Sequence, residues 1–230
     1  MKSNQRTVVG KILLLCVSIG LFVGLIYVFK IGINVFQVKH IEVTGDPVQV
    51  EINQSLFVNN ILFFPMDSTI RELKLANPLI KKVEIRKKFP STLEFIIYKR
   101  IPIAQLVTDG IHSGIDEENV ITDVVPTAQL PIITIAVPLV RVGATVKDPM
   151  VVQAVALIDR TKSVIRWSSI EAYETQSLRA RTGQTDILIT QTSDLSQVVD
   201  TLQTLMEGFR IKGTIPKSID LRFGKPVVQF

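Results

Sequence analysis

The chain has 230 residues, 47% of them hydrophobic and 20% charged, with one cysteine and a formal charge of +5. That is ordinary for a globular protein with one extra apolar run, and the length allows one membrane segment and one or two small domains. The charge does not form a nucleic-acid footprint: Lys2, Arg6, Lys11 and Lys30 precede Ile31 with no acid among them, which leaves 22 basic against 21 acidic residues for the rest.

Residues 12–29 are apolar or weakly polar throughout. A helix of that length reaches about 27 Å, close to the ~30 Å hydrocarbon core of a bilayer. Lys11 and Lys30 bracket it and can snorkel to the two interfaces. A cleaved signal peptide would have a shorter apolar region ending in a small-x-small site. Cys16-Val17-Ser18 and Ser18-Ile19-Gly20 have that form but lie inside the run. The expectation is therefore a cytoplasmic tail over 1–11 and a transmembrane anchor over 12–30, with everything later outside, because Lys2, Arg6 and Lys11 favour a cytoplasmic N-terminus. Cys16 lies within the anchor, so the outer part has no thiol and no disulfide.

The stretch 36–105 comes next. Phe36, Val38, Ile41 and Val43 alternate with polar residues in a first strand that Gly45 stops. Two helical patterns follow. Val48, Ile52, Leu56 and Phe57 mark one over 48–60, and Ile70, Leu73 and Leu75 or Ala76 mark one over 67–77. Asp67 or Ser68 can cap the second, and Asn77-Pro78 ends it. Ile80, Val83 and Ile85 mark a second strand. Lys87–Ser91 makes a turn, and Leu93, Phe95 and Ile97 mark a third strand. This β-α-α-β-β order resembles the POTRA domain. The resemblance rests on F-x-V-x-x-I-x-V-x-G from Phe36, N-P-L-I-x-x-V-x-I from Asn77 and F-P-x-T-L-x-F-x-I-x-x-R-x-P-x-A over Phe89–Ala104.

Beyond Gln105 the pattern changes. Residues 111–121 read as a short hairpin turning at His112-Ser113-Gly114. Pro126, Pro131 and Pro138 allow only short strands over 124–140. Asp148-Pro149 opens a helix to about Lys162, with Val151, Val152, Val155, Leu157 and Ile158 on its apolar face. Strands are expected near 164–175, 177–181 and 186–190. A helix over 193–212 carries Leu195, Val198, Val199, Leu202, Leu205, Met206 and Phe209 on one face and ends at Gly213. Ile219–Phe223, a turn at Gly224 and a last strand over 225–230 complete the chain.

Chemistry-bearing patterns are sparse. The histidines are His40, in a strand, and His112, next to Ser113. A working Ser–His pair is made in space and needs a third group to orient the histidine. No phosphate-binding loop, nucleophile elbow or metal spacing is present. Asp116-Glu117-Glu118 reads as a solvated turn, and its spacing matches no calcium loop. Arg179 and Arg181 could face an anionic surface, though exposed strand arginines usually face water. Lys81, Lys82, Arg86, Lys87 and Lys88 cluster on one hairpin. They could form an edge protected against strand pairing, contact anionic lipid or meet an acidic partner.

The ending Arg100-Ile101-Pro102-Ile103-Ala104, together with Ile219-Asp220-Leu221-Arg222-Phe223 and Val227-Val228, resembles the cell-division family FtsQ/DivIB. Asn119 stands where that family usually has glycine, and its leucine–proline–x–leucine stretch appears as Leu130-Pro131-Ile132-Ile133. The resemblance implies an α+β protein: an N-terminal transmembrane helix, a POTRA domain over 36–105, and a β-rich domain over 106–230 with a mixed or antiparallel sheet and two packed helices. It implies a single-pass inner-membrane protein of the division septum. Such a protein is no enzyme, needs no cofactor or metal, and takes neither nucleic acid nor a small-molecule substrate. Its partners are the coiled-coil proteins FtsB and FtsL, other divisome proteins and the membrane, and it couples divisome assembly to septal peptidoglycan synthesis. The expected partner-binding residues are Arg222, Phe223, Gly224, Lys225, Val227, Val228 and Phe230. They lie on a final strand that no later segment covers and that a partner strand could extend. Two other readings are a POTRA-bearing secretion or outer-membrane assembly factor and a membrane-anchored hydrolase. The first normally ends in a transmembrane β-barrel, and the residues after Gln105 lack the evenly spaced amphipathic strands for one.

Overall fold

The computed structural model describes residues 15–27, 30, 34–47, 59–123, 130–138 and 141–230. The fold is α+β with mixed sheets. The chain divides into two units, Met1–Ala76 with Ile80–Tyr98, and Asn77–Leu79 with Lys99–Phe230. The division falls ahead of Gln105.

Helix α1 covers 15–27, and each of its residues is exposed. No helix among the described residues is long and apolar enough to cross a membrane. This corrects the transmembrane anchor expected over 12–30. The single-pass inner-membrane placement that rested on it is corrected too. The sequence reading summed apolar residues over the whole of 12–29, whereas the described helix spans only part of that run. The tail 1–11 and residues 12–14 and 28–29 lie outside the described residues.

The first unit contains β1 (His40–Gly45), a 3₁₀ turn (Ile61–Phe63), α2 (Met66–Ala76), β2 (Ile80–Lys88) and β3 (Thr92–Lys99). Its sheet has the order β1-β3-β2, with β1 parallel to β3. Most of the helix expected over 48–60 lies outside the described residues. Leu93, Phe95 and Ile97 alternate inward on β3, as the period of two requires. They join Val38, Ile61, Phe64, Leu73, Ile80 and Val83 in one core, where the Phe64 and Phe95 rings meet edge to face at 6.5 Å. Gly45 does end β1. Its φ of +99° and its approach to the Ile97 carbonyl, 2.2 Å from where a Cβ would sit, exclude any other side chain.

Several local expectations fail in this unit. Val43 is exposed, and so are Leu75 and Ala76. Asp67 and Ser68 lie inside α2 rather than capping it. The Phe89 ring is mostly exposed, touching Phe36 edge-on at 6.2 Å. Leu75 and Ala76 lie in the last turn of α2, and Phe89 and Pro90 in the turn between β2 and β3, beyond the strand ends.

Among the described residues, the second unit is a nine-stranded sheet with two helices. Its strands are β4 (Ala104–Thr108), β5 (Ile111–Ile115), β6 (Ile121–Thr122), β7 (Ile132–Thr134), β8 (Ser169–Tyr173), β9 (Ser177–Thr182), β10 (Thr185–Thr190), β11 (Ser218–Asp220) and β12 (Val227–Gln229). The order is β12-β11-β10-β9-β8-β7-β4-β5-β6, with parallel pairs at β10–β11, β4–β7 and β7–β8. Register sets one apolar row across it: Leu106, Ile133, Ile170, Ala180, Ile187, Ile219 and Val228. Helix α3 (Pro149–Thr161) brings Val151, Ala154, Val155, Leu157 and Ile158 to this core, and α4 (Leu195–Lys212) brings Val198 and Leu202. Val152 is half open instead. Asp148 caps α3 and Asp194 caps α4, each accepting first-turn amides. Gly213 closes α4 in the left-handed region. Trp167 is buried, and its indole N–H donates to Thr161 Oγ1 at 2.6 Å, which in turn donates to the Leu157 carbonyl.

Two readings of the 111–121 stretch are corrected. The turn is at Asp109-Gly110, and His112-Ser113-Gly114 lies within β5, paired to β4. Asp116 is not solvated: it is fully buried. Its Oδ1 accepts from the Glu118 and Val120 amides, and its Oδ2 accepts from Arg100 Nη1, which also binds Glu118 at 2.7 Å. Arg100 Nε donates to the Pro78 carbonyl at 3.1 Å and its amide to Leu79 O at 2.8 Å. A buried carboxylate must be paired and hydrogen-bonded to be tolerated, and this one is. The pairing was hidden because Arg100 and Asp116 belong to separate motifs in the sequence.

Two substitutions test these cores. Phe95→Ala should cost about 3–5 kcal/mol in denaturant unfolding; a loss under about 1 kcal/mol would mean that β3 has the opposite register. Asp116→Ala should cost about 3–5 kcal/mol, because it removes the buried half of the ion pair and leaves the Glu118 and Val120 amides without their acceptor; a near-neutral effect would remove the pair from any structural role.

Candidate functional site

The seven residues expected to bind a partner form one continuous edge of the second unit. Arg222, Phe223, Gly224 and Lys225 make the connection from β11 to β12, and Val227 and Val228 lie on β12. Strand β12 stands at the end of the sheet order and pairs with β11 alone among the described strands.

The hydrogen-bonding direction of this edge follows from register. The Lys217 carbonyl accepts from Asp186, and the Leu221 amide donates to the Leu188 carbonyl. The odd residues of β11 therefore address β10. Ser218 and Asp220 address β12, opposite Gln229 and Val227. By alternation, the main chain of Pro226 and Val228 faces away from the sheet. Pro226 thus sits where its missing N–H removes no ladder bond, and Val228 presents a free-facing amide and carbonyl. Its side chain, at right angles to that plane, packs on the core.

The side chains around the edge differ in exposure. Phe223 is 64% exposed, Phe230 64% and Val227 49%. Phe230 still rests edge-on against Phe209 of α4, ring centroids 5.9 Å apart. Arg222 is fixed. Its Nη2 donates to Asp220 Oδ2 at 2.8 Å and its Nε to Oδ1 at 3.0 Å, while Nη1 reaches Glu174 Oε2 at 2.8 Å. The hydrogen bond to Asp220, with the charge attraction to Asp220 and Glu174, raises the Arg222 pKa above its usual value against the opposing effect of burial. The same hydrogen bond holds the Asp220 carboxyl below its ordinary range.

Residues not singled out by sequence complete the surface. Tyr173, on β8, lies under the Arg179 guanidinium at 4.0 Å and near that of Arg222 at 5.8 Å. Arg179 and Arg181 do not simply face water. Arg179 pairs with Glu171 at 3.1 Å and Arg181 with Asp186 at 2.7 Å, both directly cross-strand. Only the strand register brings these pairs together. Beside the edge lies a shallow cavity of about 270 Å³, lined by Thr190, Asp194, Gln197, Arg222, Phe223 and Pro226 among others.

Catalytic alternatives gain little. His112 Nδ1 is hydrogen-bonded to Gln105 at 3.1 Å, and His40 is exposed on β1. Among the described residues no group of His, Cys, Asp and Glu could hold a metal ion. In the basic cluster, Lys82 and Arg86 pair with Glu84, and Lys88 pairs with both Glu42 and Glu94.

Neither family models nor curated proteins give a match to this chain.

The Asp220 pairing predicts a pH response. A carboxyl with a depressed folded pKa stabilises the fold above its unfolded value, about 4, and that contribution disappears as pH falls through the folded value. Between pH 5 and 2 the native chain should therefore lose stability more steeply than Asp220→Asn, measured by denaturant midpoints. Parallel curves would deny the pair any role in acid sensitivity.

Proposed function

We propose that this chain is a non-catalytic docking protein whose outer edge at β12 captures a partner segment as an added strand. The observation that carries this reading is the outward-facing main chain of Val228 on a terminal strand, flanked by exposed Phe223 and Phe230. Main-chain bonds to such an edge supply affinity, and the side chains beside it supply choice of partner.

The partner class comes from the sequence resemblance to FtsQ/DivIB. On that basis the captured segments belong to FtsB- and FtsL-like coiled-coil proteins, and the protein is a divisome scaffold that couples assembly to septal peptidoglycan synthesis. Support for the scaffold class lies in the ion-paired, catalytically unremarkable side chains of the described surface. A hydrolase would need a nucleophile and an oriented base within reach of each other.

A pair of proline substitutions separates edge capture from simple core packing. Val228→Pro removes an outward donor, so affinity for a tagged coiled-coil partner should fall by about tenfold or more, with an unchanged far-ultraviolet circular-dichroism spectrum. Val227→Pro removes an inward bond to β11 and should loosen β12 itself. Equal capture by Val228→Pro and the native chain would rule out strand addition at this edge.

A further inference from the structure

The first unit has a second surface that the edge at β12 does not explain. At the end of its sheet, where β2 turns into β3, three apolar side chains stand open. Phe63 is 84% exposed, Phe89 60% and Leu62 45%. They are not scattered. Lys87 Nζ donates to the Leu62 carbonyl at 2.9 Å, which ties the 3₁₀ turn to the end of β2. The Ile61 amide donates to the Phe36 carbonyl at 2.7 Å, and the Phe36 ring meets that of Phe89. The amides of Lys39 and His40 both donate to the Ser91 carbonyl, which brings the start of β1 to the same turn.

The result is an aromatic rim set among cations. Lys39 and Lys88 are exposed, and the Lys87 ammonium rests on a carbonyl rather than a carboxylate. The nearby acids Glu42 and Glu94 are both taken by Lys88. Neither core packing nor edge protection accounts for rings this open, since lysines alone would blunt a strand edge. The chemistry that fits is amphipathic: a surface with an apolar layer for the rings and phosphates for the lysines.

We propose that this rim, formed by Leu62, Phe63, Phe89, Lys39 and Lys87, docks on an anionic lipid surface. Aromatic rings then enter the headgroup–acyl boundary and the lysines remain at headgroup level. The inference is independent of the partner reading for β12 and would survive its failure.

The test uses the full chain carrying Cys16→Ser and one new cysteine, Phe63→Cys or Phe89→Cys, labelled with an environment-sensitive dye. Gln176→Cys, in the β8–β9 turn, is the control. A fourth sample places Lys39→Glu and Lys87→Glu in the Phe89→Cys chain. Vesicles contain phosphatidylcholine alone or with about one third phosphatidylglycerol, the anionic fraction that a lysine-flanked rim should sense. Dyes at 63 and 89 should shift to the blue on anionic vesicles only, the control should not move, and the charge-reversed chain should lose most of the shift. The charge-reversed chain, in which α1 is unchanged, separates rim docking from adsorption through α1, which would leave its shift intact. Unmoved dyes at 63 and 89 on anionic vesicles overturn the proposal and leave an acidic protein as the occupant to seek. Equal shifts on neutral vesicles overturn it as well, because the lysines would then contribute nothing.

Discussion

The alternation of the nine-stranded sheet puts Leu106, Ile133, Ile170, Ala180, Ile187 and Ile219 in one continuous row, and α3 and α4 must cover that row for the second unit to be dry. Everything else in the unit follows from this one-sided burial. With helices on only one face, the opposite face must be polar, so Glu171, Arg179, Arg181 and Asp186 stand there in cross-strand pairs. With the sheet open rather than closed, it has two ends, and one of them is β12. Val228 serves both features. Its side chain completes the covered row, while its main chain, at right angles to the side chain, is left for another strand.

The two units treat their edges differently. Strand β2 also stands at an end of its sheet order, and it carries Lys81, Lys82, Arg86, Lys87 and Lys88. A strand that dense in cations resists pairing with another chain, since an incoming strand would have to desolvate or oppose them. Strand β12 carries Val227, Val228 and Gln229, which impose no such penalty. Pro226 limits how far a partner strand can run toward the turn, because it offers no donor on the outward side. Edge composition therefore protects β2 against strand addition, while β12 lacks that protection.

Sequence patterning located most of the elements because their signals are local. The period-two run of Leu93, Phe95 and Ile97, the capping of α3 by Asp148 and the glycine stop of α4 each depend on neighbours within a few residues. The failures concern properties set at a distance. The apolar run over 12–29 satisfied a length rule for a membrane helix, but no helix among the described residues is long and apolar enough to cross a membrane. Asp116 read as a turn acid because its partner Arg100 is sixteen positions away. Tyr173 gave no signal at all, since it gains meaning only when β8–β9 pairing brings Arg179 over its ring.

The candidate edge came from the family resemblance and from its place as the last strand, and its seven residues are consecutive or nearly so. What composition could not supply was direction. Whether Pro226 points inward or outward decides whether the strand could survive in the sheet at all, and that parity is set by β10. Through Asp186 and Leu188, β10 binds the odd residues of β11 and so turns its even residues toward β12. The availability of Val228 is thus fixed two strands inward, in the core. Substitutions that shift β10 against β11 by one residue would reverse the edge without touching it.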